Sequence, residues 1–201
     1  MKKIIKSAIL ASSLLLTQAV AQENQEKKGF FATASLGYTS TTISQNDKGD
    51  SIVLTKDAQD DSGVNYTVGV GYRYNQNIFT TVEYSKISFD MAKLDAIVVG
   101  MNYQFDTTLN PYVGVSVGQS KLKWKESPIE QTEEIVSDKS TKNTYGLQVG
   151  CNYDISKSIE LFGQYQVLFQ EHKTTITSPV HDTEVIGENQ NNLNIGIRYY
   201  F

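Results

Sequence analysis

The last ten residues, Asn192 to Phe201, alternate without a break: Leu193, Ile195, Ile197, Tyr199 and Phe201 are apolar, while Asn194, Gly196 and Arg198 stand between them. A period of two makes a strand with one oily and one polar face. An oily face ending in aromatics, opposite a polar face that carries an arginine, suits a wall with lipid outside and a polar lumen inside. The closing hexapeptide then recurs. Gly69 to Tyr74, Gly100 to Phe105, Gly150 to Ile155 and Gly196 to Phe201 all read Gly-x-x-Tyr-x-apolar, at unequal intervals of 31, 50 and 46 residues. Unequal spacing excludes a solenoid and leaves four equivalent strands joined by variable connections.

The same alternation predicts eight strands. Outward faces are assigned to Phe30, Ala32, Ala34, Leu36 and Tyr38; to Val64 through Tyr74; to Ile78, Thr80, Val82 and Tyr84; to Ile97 through Phe105; to Val113, Val115 and Val117; to Tyr145 through Tyr153; to Ile159, Leu161, Tyr165, Val167 and Phe169; and to the terminal strand. Beyond Lys86 the apolar phase slips to Ile87 and Phe89, which predicts a bulge or emergence from the membrane. Asn75 to Asn77, Asp106 to Pro111 and Ser156 to Ser158 predict tight turns. Ser44 to Ser62, Glu126 to Thr141 and Lys173 to Asn189 predict long polar loops, with a short one at Asp90 to Ala92; within the first, Ile52-Val53-Leu54 could extend a strand beyond the membrane. Short turns at one end and long loops at the other describe an all-β, eight-stranded antiparallel up-and-down transmembrane barrel, both termini at the periplasmic end. A soluble lipocalin-like barrel is the structural rival, but it would leave glycine, Asn, Gln and Thr outside. The aromatic residues gather near strand ends, as interfacial girdles do.

Residues 1–21 predict a secretory signal peptide: three lysines, a short apolar run and the small-x-small site Ala19-Val20-Ala21. Residues 22–29 predict a flexible periplasmic lead-in, and 30–201 the barrel. Losing the leader takes the formal charge from −4 to about −7, an acidic balance with no footprint for nucleic acid. Cys151, the single cysteine, is expected on an oily face.

Asn194, Gly196, Tyr199 and Phe201 carry a resemblance: polar-x-Gly-x-x-aromatic-x-aromatic at the terminus is similar to the signal that the barrel assembly machinery recognises in outer-membrane barrels. The whole mature chain resembles the small OmpA-like, OmpX-like and opacity-type surface barrels, without the peptidoglycan-binding domain that follows the OmpA barrel. The resemblance implies an integral protein of the Gram-negative outer membrane, in contact with its lipid and lipopolysaccharide. It also implies a role in adhesion or envelope integrity through external loops that meet a host or surface ligand.

Arg73, Arg198, Glu83 and Glu160 are predicted to point into the lumen, where charges must pair or be hydrated. Such pairs suit a static, wet interior, or a small gated pore as the second reading. No catalytic residue, metal or cofactor is expected. A lipid A-modifying enzyme is the rival of another class, and it would have to use His172 and His181 with Glu171, Ser178, Asp182 and Glu184. Asp57, Asp60 and Asp61 could offer oxygens to calcium but lack EF-hand spacing.

Overall fold

A computed structural model describes residues 27–48, 53–89, 92–124, 139–177 and 182–201. Nine β-elements follow in chain order: β1 (Gly29–Lys48), β2 (Val53–Arg73), β3 (Ile78–Ser88), β4 (Ala92–Gln104), β5 (Pro111–Trp124), β6 (Lys139–Asp154), β7 (Ile159–Phe169), β8 (His172–Thr177) and β9 (Asp182–Tyr200). Each pairs antiparallel with its neighbour, and β1 closes on β9 with Ala34 opposite Ile197. β8 continues the line of β7 along β9, so the nine elements make eight staves of a closed barrel.

The predicted faces hold on every stave. Ile195 is 68 % exposed and Ile197 49 %, whereas Arg198 between Ile197 and Tyr199 is 1 % exposed. Val68, Val99, Leu147 and their neighbours form a continuous exposed apolar belt, bounded by Tyr72, Tyr74, Tyr103, Phe105, Tyr199 and Phe201 at the tight-turn end. A soluble barrel would invert these exposures, which disposes of the lipocalin-like alternative. Cys151 lies exposed on the belt, as its phase required.

Three expectations need correction. The segment Ser44 to Ser62 is largely a ladder, with Gln45 opposite Lys56 and Lys48 opposite Val53, and a register shift between Ile43 and Gln45. Lys173 to Asn189 is likewise ladder in part, Lys173 facing Ile186 and Thr177 facing Asp182. Polar composition hid the second and all of the first but the strand extension expected at Ile52 to Leu54, because a strand standing beyond the membrane needs no oily face. Glu126 to Thr141 is shortened by β6 starting at Lys139; residues 125–138 lie outside the described residues, as do 90–91 of the short loop.

Of the two readings of the slip after Lys86, the bulge is absent and the emergence from the membrane holds. The β2–β3 and β3–β4 registers run unbroken to Ser88, and Ile87 and Phe89 continue the inward phase of Phe79, Thr81 and Glu83. What changes is polarity. Ile87, Phe89, Ala92, Leu94, Ala96 and Leu122 form a buried apolar cluster inside the barrel, while Lys86, Lys93 and Lys121 face out. Above the belt the wall meets water, so it reverts to the inside-apolar rule of soluble proteins.

Candidate functional site

The lumen at the tight-turn end is filled by a layer of aromatic rings. Phe31, Phe79, Tyr112 and Tyr200 are buried together, with ring centroids 5.1 to 6.2 Å apart along the chain of contacts. Glycines on the inward face make the room: a side-chain carbon at Gly150 would stand 2.6 Å from the Tyr112 hydroxyl, and one at Gly196 would stand 2.7 Å from the Phe162 ring.

Two guanidiniums lie against these rings. Arg198 sits 4.3 Å from the Phe162 centroid and 4.8 Å from that of Phe79, and Arg73 also sits 4.8 Å from Phe79. Both converge on Glu160. Arg198 Nη1 donates to Glu160 Oε1 at 2.6 Å and Arg73 Nη2 to Oε2 at 3.1 Å. The other Arg73 donors are also engaged: Arg73 Nε reaches the Tyr200 hydroxyl at 2.8 Å and Arg73 Nη1 reaches Gln104 Oε1 at 3.0 Å. Arg198 Nη1 also reaches Asn152 Oδ1 at 2.5 Å, and Asn152 returns a bond to Gln104 at 2.7 Å. Of the two guanidiniums only Arg198 Nε is left without a bond among the described residues, and partnering of this extent is what makes buried charge tolerable in so narrow a space.

Of the four predicted lumen charges, three meet and one does not. Glu83 is buried two turns of the ladder further in, and among the described residues it makes no ion pair. Its phase is as expected; its distance along the barrel is what alternation could not give. Lys27, by contrast, comes from the segment expected to be a flexible lead-in. It bonds Asp154, lies 3.9 Å from Glu160 Oε2 and stands over the Tyr200 ring at 5.1 Å. A cavity of about 40 Å³ opens beside it, lined in part by Arg73, Gln104, Asp106 and Glu160. No periodicity marks a lone lysine in coil, so the sequence carried no signal for it.

Further in, an amide network rings much of the wall. Asn65 donates to Thr39 (2.8 Å), Thr39 to Asn192 (2.6 Å), Asn192 to Gln166 (3.4 Å), Gln166 to Gln148 (2.9 Å) and Gln148 to Asn102 (2.5 Å), linking β2, β1, β9, β7, β6 and β4. These bonds tie staves together from within and fill the lumen with side chains.

His172 does not stand at an oily rim. It is buried inside the barrel beyond Phe169, with Nε2 2.9 Å from the Ser120 hydroxyl. Burial and the Lys142 ammonium push its pKa down to about 4. Ser178 and His181 lie outside the described residues, and Glu171 is exposed. Asp60 and Asp61 are successive ladder positions on β2, and Asp61 accepts a bond from the Ser62 amide at 2.8 Å. Among the described residues there is no cluster of His, Cys, Asp and Glu able to hold a metal.

Residues 64–201 match the model of the Opacity family porin protein, more than half the chain. The chain belongs to the Opacity family. The Opacity barrel also shares its fold with solved structures: neisserial surface protein A (18 % identity, 89 % of this chain and 100 % of that one, TM-score 0.56) and the outer-membrane protein OprG of Pseudomonas aeruginosa (13 %, 87 % and 98 %, 0.62). AlkL, an outer-membrane protein solved in lipid bilayers, is similar too (18 %, 90 % and 94 %, 0.53). No curated protein matches the sequence. Family and fold together make this an eight-stranded barrel of the outer membrane. The terminal motif falls on both faces of the wall in the Opacity barrel: Asn194 and Gly196 point inward, and Tyr199 and Phe201 stack outward with centroids 5.4 Å apart.

Proposed function

We propose that this chain is a non-enzymatic scaffold, anchored by its barrel with the tight turns in the periplasm, whose long hairpins work outside the cell in adhesion or envelope integrity. The supporting observation is the contrast between the two ends. The β1–β2 and β8–β9 ladders run far past the last belt residues, while the opposite connections are short turns held by their own side chains, as Asn75 Oδ1 holds the amides of Asn77 and Ile78. A packed lumen favours a scaffold over a conduit. Asn194, Gly196, Tyr199 and Phe201 are the residues we assign to recognition by the assembly machinery. Replacing residues 49–52 and 125–138 with short glycine-serine linkers should leave the barrel heat-modifiable on gels and abolish cell adhesion to a host or abiotic surface. Undiminished adhesion would sink the reading.

A small gated pore is the second reading, favoured by the charge cluster of Arg73, Arg198 and Glu160 and by the mouth cavity beside Lys27. Planar-bilayer recordings separate the two: flat traces for the native chain and for Arg73→Ala and Glu83→Ala eliminate the pore, and discrete openings in either variant favour it. The enzymatic alternative predicts that His172→Ala changes the lipid A mass spectrum; an unchanged spectrum is expected, since the imidazole is enclosed.

A further inference from the structure

Just above the apolar belt, four neighbouring staves carry lysines in lateral register. The last belt row runs Tyr84, Ile97, Gln119, Asn143 across β3 to β6. Two residues on comes Lys86, Asp95, Lys121, Thr141, and two further Ser88, Lys93, Lys123, Lys139. Lys93 is thus directly opposite Lys123, and Lys123 directly opposite Lys139. Like charges in cross-strand pairs destabilise a sheet. The carboxylate in their midst is engaged, since Asp95 Oδ1 accepts from the Tyr84 hydroxyl at 2.8 Å. Among the described residues, Lys86, Lys93, Lys121 and Lys123 have no acidic partner within ion-pair distance.

The other side of the same end is the reverse. The segment Asp47 to Asp61 holds five aspartates against two lysines, and Asp182, Glu184 and Glu188 have no basic residue among them. The lysine rows themselves therefore hold unpaired positive charge at one height, about 7 to 13 Å along the strand past the last lipid-facing row, ahead of a β5–β6 connection that is acidic in sequence, with Glu126, Glu130, Glu133, Glu134 and Asp138. That height is where the headgroups of the adjoining leaflet lie.

We propose that the outward face of β3 to β6 binds the phosphates of a phosphorylated glycolipid of the outer leaflet, with Lys93, Lys121 and Lys123 as the principal contacts. This rests on the outer-membrane reading above and names a partner for the wall, distinct from whatever the hairpin tips contact. The geometry suits a lipid source: a ligand anchored by acyl chains against Val99, Val117 and Leu147 presents its phosphates at the lysine rows without leaving the bilayer. A phosphate there relieves the like-charge pairs and is held by several ammonium groups at once.

The test uses the full mature chain refolded into vesicles of phosphatidylcholine alone, or with bisphosphorylated lipid A, with dephosphorylated lipid A, or with phosphatidylglycerol at equal charge. Bisphosphorylated lipid A should raise the unfolding temperature; dephosphorylated lipid A should not. A triple Lys93→Gln, Lys121→Gln, Lys123→Gln variant should melt normally in phosphatidylcholine yet bind lipid A about 100-fold more weakly, on about 1 kcal/mol per lysine. The corresponding triple Arg variant should keep the effect, and Lys28→Gln with Lys157→Gln at the other end should not disturb it.

An equal rise with phosphatidylglycerol, an equal rise with millimolar inorganic phosphate, or full lipid A response in the Gln variant would each overturn the proposal. Vesicles carry lipid A in both leaflets, so the binding result does not depend on which way the barrel is inserted. A failure of orientation is read separately, by surface labelling.

Discussion

Glu160 holds two arginines at once and is itself almost fully buried. Glu160→Gln leaves both guanidiniums buried against aromatic rings with their shared countercharge gone, a loss of about 3–5 kcal/mol. Glu83→Gln removes a carboxylate that touches neither arginine and should cost far less. Urea titration of the two variants in lipid vesicles checks the order; equal midpoints would show that Glu160 is not the hub. The contrast also marks what alternation can tell. Period two gave the inward phase of Arg73, Glu83, Glu160 and Arg198 correctly, because side-chain direction is a local property of a strand. Which of them meet depends on stagger between staves, which no single strand encodes. Lys27 was invisible for another reason: it acts from coil, where position is set entirely by what it lands on.

At the level of a strand, β3 shows how a change of environment is written in the sequence. The shift of apolar residues to the inward phase at Ile87 and Phe89 allows a bulge or emergence from the membrane, and the unbroken register decides for emergence. This inversion marks the height at which lipid gives way to water, as do Leu94 on β4 and Leu122 on β5. Ile87→Ala should therefore cost about 2–5 kcal/mol by leaving a cavity, whereas Val99→Ala on the lipid face should cost about 1 kcal/mol or less, since acyl chains refill the space. Comparable losses would contradict the inversion. β8 adds a pH dependence. His172 is neutral in the folded ladder with its pKa near 4, against an ordinary 6.5. Its contribution is complete above pH 6.5 and declines as pH falls towards 4, because the opened hairpin takes up a proton that the folded one refuses. Amide exchange in β8 and the facing part of β9 should accelerate from pH 7 to 4.5 after correction for intrinsic rates, by an opening free energy of up to about 3 kcal/mol. In His172→Gln that slope should flatten, and an unchanged slope would assign the effect to other groups.

For the molecule as a whole, the barrel's direction in the membrane is the property on which the hairpins' role depends, and the chain supplies its own probes. Cys151 is the one cysteine in the sequence and lies on the belt two residues from Tyr153. A lipid-facing thiol there should resist a charged, membrane-impermeant maleimide in intact cells. In a Cys151→Ser background, Lys93→Cys places a thiol on the exposed wall above the opposite edge of the belt, and Lys157→Cys places one in the short turn between β6 and β7. If the long ladders stand outside, the first variant labels in intact cells and the second only after the envelope is opened. The labelling depends on water reaching that wall: a stave whose inward face turns apolar past the belt needs water on its outer side, and β3, β4 and β5 all make that change at the same end. Labelling of the Lys157→Cys variant on intact cells, with protection of Lys93→Cys, would invert the barrel and remove the hairpins from any outside contact, whatever the lysine rows bind in vesicles.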